Sequence, residues 1–354
     1  MLQSINALKY ASVFTLPITV FIAFTAHGWL TFLPLIYVFG FIPLLELVFK
    51  PNAKNMDQAA ESIAKEDKLY DLMLYIIVPV QFGFLFWFFT VITEPGLTGY
   101  ETIGRIMAMG LMCGTFGINV AHELGHRREK YEQVLAKILL LSSLYMHFFI
   151  EHNRGHHKKV STPDDPATAA YGQWLYFFWV KSIVGSYISA WKLEYQRLRK
   201  KGAHWFSIRN EMIHFTLVQL GFCGLVFFLF GEVALISFLW AALMGALLLE
   251  TVNYIEHYGL SRKKVSEDRY ERVLPVHSWN SDHMIGRLLL FELSRHSDHH
   301  YNASRKYQVL RHHEKSPQMP TGYPGMMVLS LLPPLWFLIM HQRIKQLRKA
   351  TLVN

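Results

Sequence analysis

The stretch Ile103–His126, IGRIMAMGLMCGTFGINVAHELGH, holds two readings in one run. Residues 103–121 carry one charge, Arg105, and as a helix are long enough to cross the hydrocarbon core of a bilayer, which takes about 20 apolar residues. His122 and His126 follow at once. Residues four apart share a helical face, so both imidazoles project together. Imidazole is the commonest protein ligand for metals near neutral pH. The stretch predicts a membrane helix whose end supplies part of a metal site.

Two further boxes repeat the pattern: His152-Asn-Arg-Gly-His156-His157 and His296-Ser-Asp-His299-His300. The same spacing pairs His152 with His156 and His296 with His300, while His157 and His299 widen each set. Asn253-Tyr-Ile-Glu-His257-Tyr-Gly259 adds a ninth histidine. Ligand pairs arriving from several helices are how bundles build dinuclear centres, and this set exceeds the needs of one ion. Imidazole by itself leaves iron, zinc, copper and nickel open. Glu123, Glu151, Asp165, Glu256 and Asp298 flank the boxes as candidates to accept the second ring N–H of a ligand, with ordinary surface charge as the competing reading. His122–His126 also fits H-E-x-x-H, in which the glutamate is the base of a zinc protease. The surplus of histidines beside apolar spans argues for redox chemistry instead. Most other histidines, including His27, are expected to be non-ligands. The run His277-Ser-Trp-Asn-Ser281 is polar without a role that sequence reveals.

Apolar residues make up 52% of the 354, yet mean hydropathy is only +0.19, because apolar blocks alternate with charged ones. Six blocks reach spanning length: 10–27, 30–49, 72–93, 103–121, 212–230 and 233–252. The first lacks a small-residue cleavage site and is expected to be retained. Cys113 and Cys223 fall singly in these blocks, so a four-thiolate iron or zinc site is excluded and any such electron carrier is a separate protein. The net charge of +9 borders the spans, which speaks for membrane orientation rather than nucleic acid. Segments 27–31, 93–102 and 231–232 carry no Lys or Arg, whereas 50–71, 122–211 and 255–354 carry nearly all of them. Both termini and every histidine box are therefore expected on the inner side. Segment 323–341 contains Pro333-Pro334 and reads as re-entrant or interfacial, as does 171–190, which Lys181 interrupts. The expected fold is all-α: residues 1–354 as one membrane domain, six transmembrane helices, and a cytosolic helical cap formed by 122–211 and 255–354. A metal transporter would instead line several spans with histidine or carboxylate.

The boxes HELGHR (122–127), EHNRGHHKKVSTPDDPA (151–167) and LSRHSDHH (293–300), with NYIEHYGL (253–260), resemble the membrane-bound alkane 1-monooxygenases of the histidine-box hydroxylase and desaturase superfamily. The runs PLLE (43–46), HSWNS (277–281) and LPPLWF (332–337) fit as well, so the resemblance covers about Ala11 to His341. Desaturases carry HxxHH where the second box here is HxxxHH, and xylene-type relatives lack the RHSDHH of 295–300. The resemblance implies two non-haem irons held by His122, His126, His152, His156, His157, His257, His296, His299 and His300. It implies hydroxylation of n-alkanes to 1-alkanols with O2 at a bacterial inner membrane. It further implies that NAD(P)H supplies the electrons through a rubredoxin reductase and a rubredoxin. An acidic rubredoxin would suit the basic residues Lys158, Lys159, Arg305, Arg311 and Arg343. An alkyl-aromatic hydroxylase or a lipid desaturase on the same centre are the alternatives. Relatives limit chain length with a bulky residue where this chain has Val38, which implies a deeper channel here. Glu46 stands where many relatives have Asp. An alkane offers no hydrogen-bonding group, so its affinity must come from burial, about 0.8 kcal/mol per CH2.

Overall fold

In the computed structural model, residues 4–267 and 269–353 are described. The chain is mostly helical, with one short antiparallel strand pair, Lys264–Ser266 with Arg269–Tyr270, among the described residues. Thirteen helical segments are used below: α1 Asn6–Thr25, α2 Gly28–Val48, α3 Gln58–Glu66, α4 Lys68–Val91, α5 Gly99–Gly125, α6 Lys130–Leu141, α7 148–159, α8 Leu175–Lys200, α9 Glu211–His257, α10 Met284–Leu289, α11 His296–Tyr301, α12 Tyr323–Ser330 and α13 Pro333–Val353. Five of them, α1, α2, α4, α5 and α9, are long and apolar enough to cross a membrane.

The blocks 212–230 and 233–252 form one helical element, α9, interrupted at Gly231 (φ 82°, ψ −178°). Sixteen residues of straight helix would separate Phe222 from Phe238 by about 24 Å. Their ring centroids are 5.6 Å apart, and both halves of α9 meet Phe89 of α4, through Phe230 and Phe238. The element is therefore a hairpin bent at Gly231.

Side chains fix where the spans begin. Thr98 and Glu101 form a capping box at the start of α5, and the other oxygen of Glu101 accepts the Gly28 N–H at 2.6 Å. Arg105 is buried rather than reaching outward; it donates to the Val91 carbonyl at 2.6 Å and to Glu94 at 2.7 Å. Glycines set the contact between α5 and α9. A Cβ at Gly110 would overlap Met244, and one at Gly245 would overlap Cys113. Small residues let membrane helices approach closely, and this contact aligns the ends that carry His122 and His257.

The remaining helices gather around that end. Helix α8 buries Phe178, Ser182 and Ser186 while exposing Phe177, Val180 and Val184, an apolar outward face suited to an interface. Segment 323–341 is two helices, α12 and α13, broken just before Pro333 as the double proline requires. Trp336 and Met340 of α13 pack with Tyr254 and Tyr258 beside the end of α9.

Gly231 tests the hairpin. Its φ and ψ lie in a region open essentially to glycine, while the space around a Cβ is clear. Gly231→Ala and Gly231→Asn should both lower stability by about 1–3 kcal/mol, read as a lower unfolding midpoint in detergent. An unchanged midpoint would mean the bend tolerates other conformations.

Candidate metal centre and its cavity

Four elements bring the histidines together at the ends of the spans. Helix α5 supplies His122 and, just past its end, His126; α7 supplies His152, His156 and His157, α9 supplies His257, and α11 supplies His296, His299 and His300. They form two groups: His122, His126, His152, His157 and His299, and His156, His257, His296 and His300. Within each, one nitrogen per ring lies within 4.8 Å of all the others.

Helical spacing pairs His122 with His126 and His296 with His300, and the structure keeps both pairs. It separates His152 from His156. The second box is a π-helical turn, His152–His156, so i→i+5 bonding widens the spiral. His152 then meets His157 at 3.0 Å through Nε2, and His156 turns to the other group. A second π-helical stretch, Cys113–Asn119, precedes the first box.

The first group cannot be satisfied by hydrogen bonds among its own rings. The Nε2 atoms of His126, His152 and His157 form a closed triangle with sides of 3.1, 3.2 and 3.0 Å. A ring nitrogen is either a donor or an acceptor, so a three-membered ring always leaves two like atoms facing. A shared cation removes the conflict, because every nitrogen then presents a lone pair. Metal–imidazole bonds of about 2.1 Å set at right angles give nitrogen separations of about 3.0 Å, close to those found. In the second group His156 Nε2 and both nitrogens of His300 are buried without a partner. The residues fit two cations.

Burial keeps the rings neutral, as metal ligands must be. It lowers His126 to about 3 and, helped by neighbouring imidazoles, holds His152, His157, His296, His299 and His300 well below the usual range. His156 is the exception. Burial opposes its charge, but Asp165 outweighs burial and raises it, accepting from Nδ1 at 2.9 Å.

The five flanking acids divide. Asp165 orients His156 and is itself held by Thr168 Oγ1 at 2.6 Å. Glu256 Oε2 lies 3.0 Å from His296 Nε2, and Tyr323 donates to its other oxygen at 2.7 Å. Glu123 is directed elsewhere, to Arg127 at 2.8 Å and the Tyr307 N–H at 3.1 Å. Asp298 binds Arg305, the Arg311 N–H and His313. Glu151 Oε1 is buried with no partner, and burial, with nearby Asp165, raises the group to about 8. Cations already present redirect Glu123 and Asp298, a competition that sequence spacing does not reveal.

The sequence reading left Asn280 and Glu46 without a role and missed Glu250. Asn280, in the polar run 277–281, accepts from the N–H and hydroxyl of Ser297 and so holds α11, and the Trp279 N–H binds the Glu256 carbonyl at 2.8 Å. Glu46 accepts the Gly286 N–H at 2.8 Å and lies where a Cβ on Gly322 would stand, joining α2 to α10 and α12. Glu250 is a buried acid in an apolar helix, a signal that was legible in the run LLLE (247–250).

An almost wholly apolar cavity opens onto both groups. Val38 lines it with Leu16, Leu111 and Leu248, and His122, His152 and His296 are part of the same wall. Of the basic docking candidates, Arg305 is tied to Asp298, Arg311 to Glu61, and Arg343 to the Gln318 carbonyl. Lys158 and Lys159 form no salt bridge among the described residues.

Comparison with known proteins places this arrangement. Residues 102–330 match the fatty acid desaturase family. Alkane 1-monooxygenase 1 of Pseudomonas aeruginosa is 43% identical over 314 residues, 88% of this chain and 82% of the relative. Alkane 1-monooxygenase 2 of Alcanivorax borkumensis is 41% identical over 87% of this chain and 81% of the relative. The chain belongs to the alkane 1-monooxygenases. The hydroxylase component of a xylene/toluene monooxygenase from Pseudomonas putida is more distant, 30% identical over 75% of this chain and 72% of that protein. As a member of the alkane 1-monooxygenases, the protein is a multi-pass membrane oxygenase with a histidine-rich metal site.

Two tests follow. Asp165→Asn should weaken metal binding by about 10–100-fold, measured as metal content after dialysis against graded chelator. The metal-free protein should lose stability as pH falls below about 6.5, where the unfolded chain takes up protons. The folded chain resists them until about 3 at His126 and about 4 at His147. Unfolding midpoints at pH 7.5 and 5.5 check this, with the lower one expected at pH 5.5.

Proposed function

We propose that this chain inserts one oxygen atom of O2 into the terminal C–H bond of n-alkanes, at two non-haem irons held by the nine histidines, using electrons from a reduced rubredoxin. The balance is one alkane, one O2, two electrons and two protons giving one 1-alkanol and one water. The observation that carries the reading is the apolar cavity whose wall includes His122, His152 and His296. The alkane identity of the relatives between 36% and 43% identical favours it over an alkyl-aromatic substrate.

Bound iron supplies the reductive activation of O2. The protein supplies the rest. Cavity walls such as Leu16, Leu111 and Leu248 take the chain out of lipid or water and offer it no polar contact. Terminal selectivity is then a matter of shape, because internal C–H bonds are weaker than those of the methyl end. Val38, in the π-helical stretch Tyr37–Phe41 of α2, is placed to set how much chain the cavity accepts. Asp165 holds His156 in one orientation. The charge asymmetry of the loops supports six spans, the last two being the halves of α9. It also supports the inner membrane, with both termini and the metal centre facing the cytoplasm. Lys158 and Lys159, without salt bridges, suit an acidic electron donor.

Membranes containing the protein, given mixed n-alkanes, rubredoxin, reductase, NAD(P)H and O2, should yield 1-alkanols by gas chromatography–mass spectrometry. His156→Ala should abolish them. Val38→Trp should shift the products to shorter chains without loss of metal; an unchanged profile would remove Val38 from the channel. No alkanol from an iron-replete preparation would turn the reading to another substrate on the same centre.

A further inference from the structure

Glu250 lies in the second half of α9 and is 1% exposed. An acid at such a place is costly and marks function. Its carboxylate receives three side-chain hydrogen bonds. Tyr145 donates to Oε1 at 2.8 Å, and Asn253 Nδ2 at 3.1 Å and the Ser182 hydroxyl donate to Oε2. Among the described residues no Lys or Arg bonds to it. These donors offset part of what burial costs its charged form. Asn253 also lines the substrate cavity, so Glu250 sits directly behind the cavity wall.

The four-histidine group has further acids of this kind. Asp165 contacts His156 and Glu256 contacts His296, and neither is salt-bridged to a Lys or Arg among the described residues. Lys181 acts on Asp165 from a distance but donates to the Thr168 carbonyl. Arg262 donates to the Lys158 and Val160 carbonyls. Glu250 stands close enough to His156 to act on it electrostatically. Of the other flanking acids, Glu151 is raised to about 8 by burial, and the remaining two meet arginines. Glu123 pairs with Arg127 at 2.8 Å, and Asp298 pairs with Arg305 at 2.8 Å. Two centres of the same ligand type thus sit in unequal fields.

We propose that Glu250, held by Tyr145, Ser182 and Asn253, is a positioning residue that makes the two metals unequal by lowering the reduction potential of the one in the four-histidine group. It acts through the field and touches neither substrate nor metal. Uncompensated negative charge in a low-dielectric interior favours the more highly charged state of a nearby cation. With iron bound, the five-histidine group would hold the ion that accepts the donor protein's first electron, from ferric to ferrous. The inference rests on the two-iron reading above.

The test is an anaerobic redox titration of the full-length protein loaded with 57Fe in detergent, followed by Mössbauer spectroscopy. The wild type should reduce in two steps, with a mixed-valence state between them. Glu250→Gln should raise the lower midpoint by roughly a tenfold change in equilibrium constant, or 59 mV for one electron, and leave the upper one in place. Glu250→Asp, which keeps the charge, should stay near the wild type, separating charge from packing. Tyr145→Phe and Ser182→Ala should each move the lower midpoint the same way by less, which keeps the test open if Glu250→Gln does not fold. A single reduction step in the wild type overturns the inference, as does a Glu250→Gln protein with full iron whose midpoints are unmoved or move together. A folded protein that takes up no iron overturns the two-iron reading instead.

Discussion

Nine imidazoles crowded into one place cannot be reconciled by hydrogen bonding alone, and much of the structure is arranged around that conflict. The triangle of His126, His152 and His157 sets three nitrogens at hydrogen-bond distance when at most two of its sides can pair a donor with an acceptor. His156 Nε2 and the His300 ring lack partners altogether. Unpaired buried polar groups are costly, so packing elsewhere has to over-determine the positions of these rings. A cation at each group turns the same crowding into ligation.

That over-determination takes specific forms. The backbone departs from regular helix at the π-helical turns Cys113–Asn119 and His152–His156, just before and within two of the boxes. Before the third box, Phe291 and Glu292 both take positive φ (50° and 59°), a conformation bulky residues avoid. Glu292 is pinned there by Arg287 at 2.6 Å and by the Tyr10 hydroxyl at 2.7 Å, from the far end of the chain. Glu46 and Asn280 add ties that run from α2 to α10 and from the 277–281 run to α11. Each tie carries the position of a distant segment to a histidine, which is what a centre assembled from four elements needs.

Substrate and metal impose opposite demands that meet at one wall. An alkane needs a surface without polar contact, while two cations need charge nearby. Apolar side chains make up most of the cavity lining, and of the acids without a cation partner only Glu256 reaches it. Arg127 and Arg305 take up Glu123 and Asp298. The field around the metals is therefore set by which acids find a cation, a property of packing rather than of composition.

Much of this was legible in the chain itself. Apolar run length marks the spans, because a bilayer sets a minimum helix length whatever the tertiary contacts. Four-residue spacing in the boxes singles out six of the nine histidines, because a helix puts such residues on one face. The double proline at 333–334 announces a break, because its ring excludes the helical hydrogen bond. Sequence could not say that His152 would part from His156, since a π-turn is stabilised by its neighbours rather than by its own residues. Nor could it say that Glu123 and Asp298 would serve arginines while Asp165 served His156, because short-range order does not decide which of several partners is nearest. The bend at Gly231, the contact of Glu46 with Gly286 and the donors around Glu250 likewise join residues far apart in sequence. The sequence alone determined the chemistry of the ligands and the solvent of the spans. Only the tertiary structure decided how the histidines divide into two groups and what charge each group sees, because that division depends on distances between helices that no local pattern encodes.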